Sequence, residues 1–256
     1  MVTIKNPEEI KLLRQSGRIL ASVLNELVEA AKPGATTREL DQLAIDLITS
    51  AGGRPSFQGY CGSREEKPFP SALCASVNEE LVHAPAAPGH TLRSGDIVGL
   101  DLGVDYKGFF TDMTITALVG NVSKEARDLV KVTKKSLDKG LEKIKEGNYI
   151  SDISRAIQKY VEDHGYSVIR QLVGHGVGYK VHEEPSIPNF IAPGQPKIEL
   201  KAGMVLAIEP MVAVGDWRVK TLSDGWTVMM ADGGLAAHFE HTVVVTKNGY
   251  ELLTQE

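Results

Sequence analysis

Ile97-Val-Gly-Leu-Asp101-Leu-Gly-Val104, then Asp105-Tyr-Lys-Gly108, then Phe109-Phe-Thr-Asp112-Met-Thr-Ile-Thr-Ala-Leu-Val119: this stretch decides how the chain reads. Two segments rich in apolar, β-branched and aromatic residues flank a short polar turn, the pattern of a β-hairpin. An acid stands inside each strand, where a carboxylate is costly unless it is paired or bound to a metal. With the turn centred between Tyr106 and Lys107, Asp105 faces Gly108 and Asp101 lies directly opposite Asp112. Residues so opposed have Cβ atoms about 4.5–5.5 Å apart on one face. Two carboxylates at that distance repel unless a cation lies between them. A bulge at Gly108 would shift the register by one residue, and two edge-strand acids meeting solvent are the plainer alternative.

Upstream of the hairpin the chain is helical. Asn6 can cap, Pro7 suits a first turn and Glu8 and Glu9 complement the dipole. Ile10, Leu13, Leu20, Leu24, Leu27 and Val28 follow at helical spacing until Pro33-Gly34. A second helix begins near Thr36, with Glu39 completing a capping box, and ends at Gly52-Gly53. Downstream, Ser123 opens a helix running to about Glu146, and a fourth runs from about Ser151 to His164. Strands are expected over 166–172, 204–208 and 239–246. The order helix, helix, strands thus occurs twice. Lys32-Pro-Gly34 matches Lys145-Glu-Gly147, and Gly52 matches Gly165 at the same offset. Few identities support a duplication; if real, two halves share one sheet system with a cleft at a pseudo-two-fold axis. No low-complexity linker separates them, so residues 1–256 read as one domain.

The whole-chain numbers narrow the function. The 256 residues carry a formal net charge of −5 and no basic run, so no electrostatic footprint for nucleic acid is visible. There is no signal-peptide pattern and no apolar run near the roughly 18 residues that span a bilayer. Cys61 and Cys74 lack CxxC spacing, which argues against a thiolate zinc site and points to free thiols in a reducing cytoplasm.

Three further polar residues interrupt apolar or glycine-rich surroundings. His175 sits in Gly174-His-Gly-Val-Gly178, Glu209 in Ala207-Ile-Glu-Pro-Met211, and Glu240 in His238-Phe-Glu-His-Thr-Val-Val-Val245. Pro210 cannot donate to a strand ladder, so Glu209 belongs at a strand end or bulge. Each alone could be a surface or structural residue. Together, four carboxylates and one imidazole suit two divalent cations such as Mn, Fe, Co or Zn, sharing a water at about 3.5–4 Å.

The motifs, in order, are Cys74-Ala-Ser-Val-Asn-Glu-Glu-Leu-Val-His83, Asp101 with Asp112, Gly174-His-Gly-Val-Gly178, His182-Glu-Glu-Pro185, Ile208-Glu-Pro-Met-Val212 and Phe239-Glu-His-Thr-Val-Val-Val245. In these the sequence resembles the type I methionine aminopeptidases, M24 metallopeptidases of the α+β pita-bread fold. The resemblance implies a central antiparallel sheet covered by helices and an internal pseudo-two-fold repeat. It implies Asp101, Asp112, His175, Glu209 and Glu240 as ligands of two metal ions. Glu209 would also carry the proton to the leaving amine, His182 would bind the carbonyl oxygen as it becomes an oxyanion, and His83 would contact the scissile nitrogen. Phe57, Tyr60, Cys74, Val181 and Trp226 would line the methionine pocket. The implied substrates are N-terminal peptides of nascent proteins with a small second residue; the implied protein is a cytoplasmic monomer, and a transient ribosome contact is left open.

Three features depart from the family: Ala84-Pro-Ala-Ala-Pro-Gly89 after His83, a polar insertion over 62–67 beside the expected pocket, and Val181 where many bacterial members carry Phe. Proline-specific aminopeptidases and prolidases of the same fold are the enzyme rival, but they usually carry a large N-terminal domain that this chain lacks. A non-catalytic homologue that binds peptides is the rival of another class, and five intact ligand positions argue against it.

Overall fold

The computed structural model describes residues 2–61 and 67–256. Most of the insertion read at 62–67 therefore lies outside the described residues. The first half builds α1 (Pro7–Ala30), α2 (Thr37–Ser50), β1 (Arg54–Pro55), β2 (Leu73–Val77), β3 (Glu80–Val82), β4 (Ile97–Tyr106) and β5 (Phe109–Leu118). The second builds α3 (Lys124–Leu141), α4 (Ile150–Asp163), β6 (Ser167–Val168), β7 (Gly174–Gly176), β8 (Glu183–Ile187), β9 (Val205–Ile208) and β10 (Met211–Ala213). It continues with β11 (Val219–Thr221), β12 (Val228–Met230), β13 (Ala236–His238), β14 (Glu240–Thr246) and β15 (Gly249–Leu252).

The expected capping box of Thr36 and Glu39 forms, and the Asn6 cap is a capping box too: Asn6 accepts from the Glu9 amide and Glu9 reaches back to the Asn6 amide. Each satisfies amides that the first helical turn leaves without partners. Helix α3 stops five residues short of Glu146. After Leu141 the amides of Lys143 and Ile144 turn back to Gly140 and Leu141, three residues earlier, which tightens the chain out of α-helix. The expected strand over 166–172 shrinks to Ser167–Val168.

The main antiparallel sheet runs β1-β4-β5-β14-β9-β7-β8, with β2 beside β4 and β15 beside β14. The β5–β14 pair joins the two halves, setting Thr114 opposite Glu240. Each half packs its helices on its own share of the sheet. Leu20, Leu24, Leu27, Leu40 and Ile48 cover Leu100 and Leu102, and Leu129, Leu137, Ile153 and Ile157 cover Leu206, Ile208 and Val243. A Leu or Ile buried so completely stabilises the fold by about 1.5–3 kcal/mol over an exposed one.

The repeat is visible in the backbone. Thr37–Ser50 and Ile150–Asp163 are offset by 113 residues at both ends, as are Arg54–Pro55 and Ser167–Val168. Thr36 and Tyr149, the N-caps of α2 and α4, keep that offset and each forms an isolated antiparallel bridge, to Thr91 and Glu199. Gly34, Gly52, Gly147 and Gly165 all lie in the turns that follow helices and have positive φ, a conformation glycine adopts without strain.

The hairpin register differs from the sequence expectation. Tyr106 pairs Phe109 across a two-residue turn in which Lys107 and Gly108 both have positive φ, the geometry that matches strand twist in tight hairpins. The turn centre thus lies one residue later, so Asp101 opposes Thr114 and Asp112 opposes Gly103. A shift of two preserves side-chain parity. Asp101 and Asp112 therefore share a face as diagonal neighbours rather than as a direct pair.

Candidate metal centre

A cavity of about 700 Å³ opens on that face. It is lined by every residue singled out in the sequence: Asp101, Asp112, His175, Glu209 and Glu240; His83 and His182; Phe57, Tyr60, Cys74, Val181 and Trp226. The hairpin presents Asp101 and Asp112. Pro210 ends β9 at Ile208 and leaves Glu209 in the break before β10, as its missing amide hydrogen requires. Phe239 separates β13 from β14, and Glu240 starts the latter.

Donor atoms of Asp112, His175 and Glu240 lie within 4.8 Å of one another. His175 Nε2 is 3.4 Å from Glu209 Oε1 and 4.0 Å from Asp112 Oδ2. The Nδ1 of His175 lies 2.9 Å from the Gly176 carbonyl oxygen. A proton on Nδ1 donates to that carbonyl and leaves the Nε2 lone pair facing the carboxylates, an orientation suited to metal ligation. Asp101 stands beside Asp112 and next to Cys74 across the β2–β4 pair.

The electrostatics call for a cation. Burial pushes the Asp112 carboxyl well above its usual range, and the charges of Glu240, Asp101 and Glu209 push it further. Burial, then Glu209 and Asp101, do the same to Glu240; burial and Asp101 raise Glu209; burial raises Asp101. Burial also holds His175 neutral, its pKa pressed down to about 3. Asp101 Oδ1 and Glu240 Oε1 are buried with no hydrogen-bond partner among the described residues. Clustered, desolvated carboxylates with free oxygens, facing bare imidazole nitrogen, fit a divalent cation.

One side of the cavity is apolar. Phe57, Phe69, Cys74 and Val181 form a buried cluster, flanked by Tyr60, Phe110 and Trp226. Trp226 meets Phe69 edge-on at 5.2 Å. Burial and then the Asp101 charge push the Cys74 thiol well up, so it acts as a wall rather than a nucleophile. His83 sits at φ 58 in the left-handed region, a strained conformation for a side chain that concentrates at functional sites. Tyr60 Oη is 2.8 Å from His182 Nδ1, and the His182 ring meets that of His175 at 4.5 Å.

A search of known families matches residues 11–247 to metallopeptidase family M24. The chain belongs to that family. It is 52% identical over 256 residues to the methionine aminopeptidase of Clostridium perfringens, covering 99% of each chain. It superposes on the crystal structure of methionine aminopeptidase from Thermotoga maritima with a TM-score of 0.95 and 42% identity, covering all of both chains. The prolidase of Pyrococcus horikoshii shares the fold at a TM-score of 0.78 and 23% identity, and the chain covers 63% of it. The architecture is thus the α+β pita-bread fold, and the M24 chemistry is that of a metal-dependent peptidase using divalent cations.

Phe69 and His238, both of which line the cavity, escaped the sequence reading. Phe69, framed by Pro68 and Pro70, completes the apolar wall; the two prolines were its signal. His238 lines the cavity with 3% exposure, and nothing in its strand-like surroundings marked it. The departure at residues 84–89 does not reach the central cavity. Ala84, Pro85 and Ala87 to Gly89 line a separate hollow of about 440 Å³, which shares only Trp226 with the first. The chain turns away after His83 because Ala84 and Ala86 are buried in the body of the protein.

Proposed function

We propose that this chain removes the N-terminal methionine from peptides of nascent proteins, preferring a small second residue. The observation that carries the reading is the apolar pocket of Phe57, Phe69, Cys74 and Val181 set directly against the carboxylate–imidazole cage. Such a wall suits an unbranched, polarizable side chain. Asp101, Asp112, His175, Glu209 and Glu240 would hold two divalent ions, of Co, Mn, Fe or Zn. Cations in such a cage polarise a carbonyl and bring the pKa of water toward ~7.

The chain's own groups supply the rest. Glu209, buried and raised in proton affinity, accepts a proton from the attacking water and returns it to the leaving amine. His182, fixed by Tyr60, donates to the carbonyl oxygen as charge develops there. His83, held neutral with its pKa down to about 4 by burial, contacts the scissile nitrogen. The main sheet draws strands from both halves, which supports residues 1–256 as one catalytic domain. No helix among the described residues is long and apolar enough to cross a membrane; a cytoplasmic monomer that meets its substrates as they leave the ribosome fits this reading.

The test is hydrolysis of Met-Ala-Ser with Mn, Co or Fe added anaerobically, beside an Xaa-Pro dipeptide. Turnover of the first and not the second is expected; the reverse would make the protein a prolidase. Glu209→Gln should lower kcat by about 10²–10⁴-fold, the usual worth of a positioned general base. Near-normal turnover would remove Glu209 from proton transfer.

A further inference from the structure

The cage leaves one buried histidine without work. His238 ends β13, and its backbone is fixed twice by Thr116, whose hydroxyl donates to the His238 carbonyl (2.7 Å) and accepts from its amide (3.0 Å). It pairs with Met211, two residues past Glu209. Neither ring nitrogen has a hydrogen-bond partner among the described residues, and such orphaned buried atoms require an explanation in a native protein. A carboxylate stands close by: Nε2 lies 3.5 Å from Glu209 Oε2, while the other carboxylate oxygen lies 3.4 Å from His175 Nε2.

The two imidazoles flank Glu209 with opposite capacities. The Nδ1 proton of His175 is committed to the Gly176 carbonyl, so its Nε2 is bare and cannot donate to Glu209. Two acceptors then face each other, and a cation is what fits between them. His238 Nδ1 has no hydrogen-bond partner among the described residues, whereas Nε2 faces a carboxylate, so its single proton belongs on Nε2. We propose that His238 is the positioning residue for Glu209: its Nε2–H donates to Oε2 once a few tenths of an ångström close, and so aims Oε1 at the cation beside His175. This rests on the metal-centre reading above.

The test is calorimetric titration of Mn²⁺ into metal-free wild type, His238→Leu and His238→Gln, with near-ultraviolet circular dichroism to establish folding. Leu fills the space without a donor, whereas Gln restores an N–H. Loss of a partner that orients a metal ligand typically costs about 10–100-fold in affinity, so Leu should fall by that much and Gln should stay within about threefold of wild type. Wild-type affinity in the Leu variant overturns the proposal. So does a Gln variant as weak as Leu, which would mark His238 as a ligand through bare nitrogen. The tautomer is a second measurement needing no variant: histidine ¹⁵N resonances of the wild-type protein should show His238 protonated on Nε2, and protonation on Nδ1 overturns the proposal. Wild type that takes up no Mn²⁺ would instead bring down the metal centre itself.

Discussion

Helices α2 and α4 repeat at a fixed offset, but the strands that follow them present the cage in two ways. The first half uses one uninterrupted hairpin of ten residues per strand, and places Asp101 and Asp112 by side-chain parity alone. The second half uses short strands broken at Pro210 and Phe239, and brings His175 in from the middle of a three-residue strand, Glu209 from a break and Glu240 from a strand start. The regular half can offer only what alternation allows, two carboxylates on one face. The broken half can aim different side chains from different directions, at the cost of local regularity. If both contribute equally to one site, Asp112→Asn and Glu240→Gln should abolish Mn²⁺ uptake alike, beyond the roughly 10–100-fold typical of groups that only orient a ligand. Retention of full affinity by either variant in calorimetry would assign the site to the other half.

The second half is also clasped by the N-terminal segment. Lys5 forms a buried ion pair with Glu183 at 2.7 Å, and Glu183 further accepts from Thr3 at 2.6 Å and from the amides of Tyr179 and Lys180 at 2.5 and 3.0 Å. Glu183 directly follows His182, so the clasp fixes the loop that carries that histidine. Nothing comparable is needed on the hairpin side, where ladder hydrogen bonds do the same. Lys5→Met leaves a buried carboxylate unpaired, which typically costs about 3–5 kcal/mol. A urea midpoint unchanged from wild type would show the clasp to be ornamental. Adding Glu183→Gln should recover part of the loss.

Crowded carboxylates make the metal-free protein sensitive to pH with a definite sign. Asp112, Glu209 and Glu240 have raised proton affinities when folded, so their contribution is full at low pH and lost as pH rises through the folded values. Histidines act oppositely. His175 is held to about 3, and His83, His238 and His241 to about 4; their contribution is present above about 6.5 and lost as pH falls below it. Above about 6.5 the histidine contribution is complete, so the carboxylates oppose further gain. The melting temperature of metal-free protein should fall as pH rises through the folded values of these carboxylates, and saturating Mn²⁺ should flatten the curve. A metal-free protein that gains stability over that range would refute the electrostatic account.

What could be read beforehand follows the same division. Asn6 with Glu9 and Thr36 with Glu39 are local chemistry, complete within four residues, so the first-half helices were legible. So was the pairing of two acids across a hairpin, although its register was not. Lys107 adopts positive φ, which Asp-Tyr-Lys-Gly does not advertise, and Asp105 accepts from the Gly108 amide to close the turn. In the second half, family motifs located His175, Glu209 and Glu240, but strands of three to five residues are set by tertiary pairing rather than by pattern. His238 was invisible for that reason: its meaning depends on Glu209, 29 positions away in sequence and 3.5 Å away in space.

The helices test whether the halves differ in rigidity as well as in design. Gly17 of α1 and Gly140 of α3 both stand where a neighbour packs close. A Cβ on Gly17 would lie 2.2 Å from the carbonyl oxygen of Leu253, which is backbone and fully buried. Leu253 donates its amide to Thr242, Thr254 bonds the Thr242 amide, and Thr242 exchanges hydrogen bonds with the backbone of Asp112 at 2.7 and 2.9 Å. Displacement there runs toward a cage residue. A Cβ on Gly140 would instead meet side chains, 2.8 and 2.9 Å from Cδ1 and Cγ1 of Ile157 and 3.3 Å from Cγ2 of Ile153, which must repack. Side chains can shift where backbone cannot, and alanine in a helix gains about 1 kcal/mol over glycine. Gly17→Ala should therefore cost about 1–3 kcal/mol, the usual penalty of overpacking, and weaken Mn²⁺ binding as well. Gly140→Ala should stay within about 1 kcal/mol of wild type and leave Mn²⁺ binding alone. Equal losses in denaturant melts would mean that the Ile157 side chain is as unyielding as the Leu253 backbone.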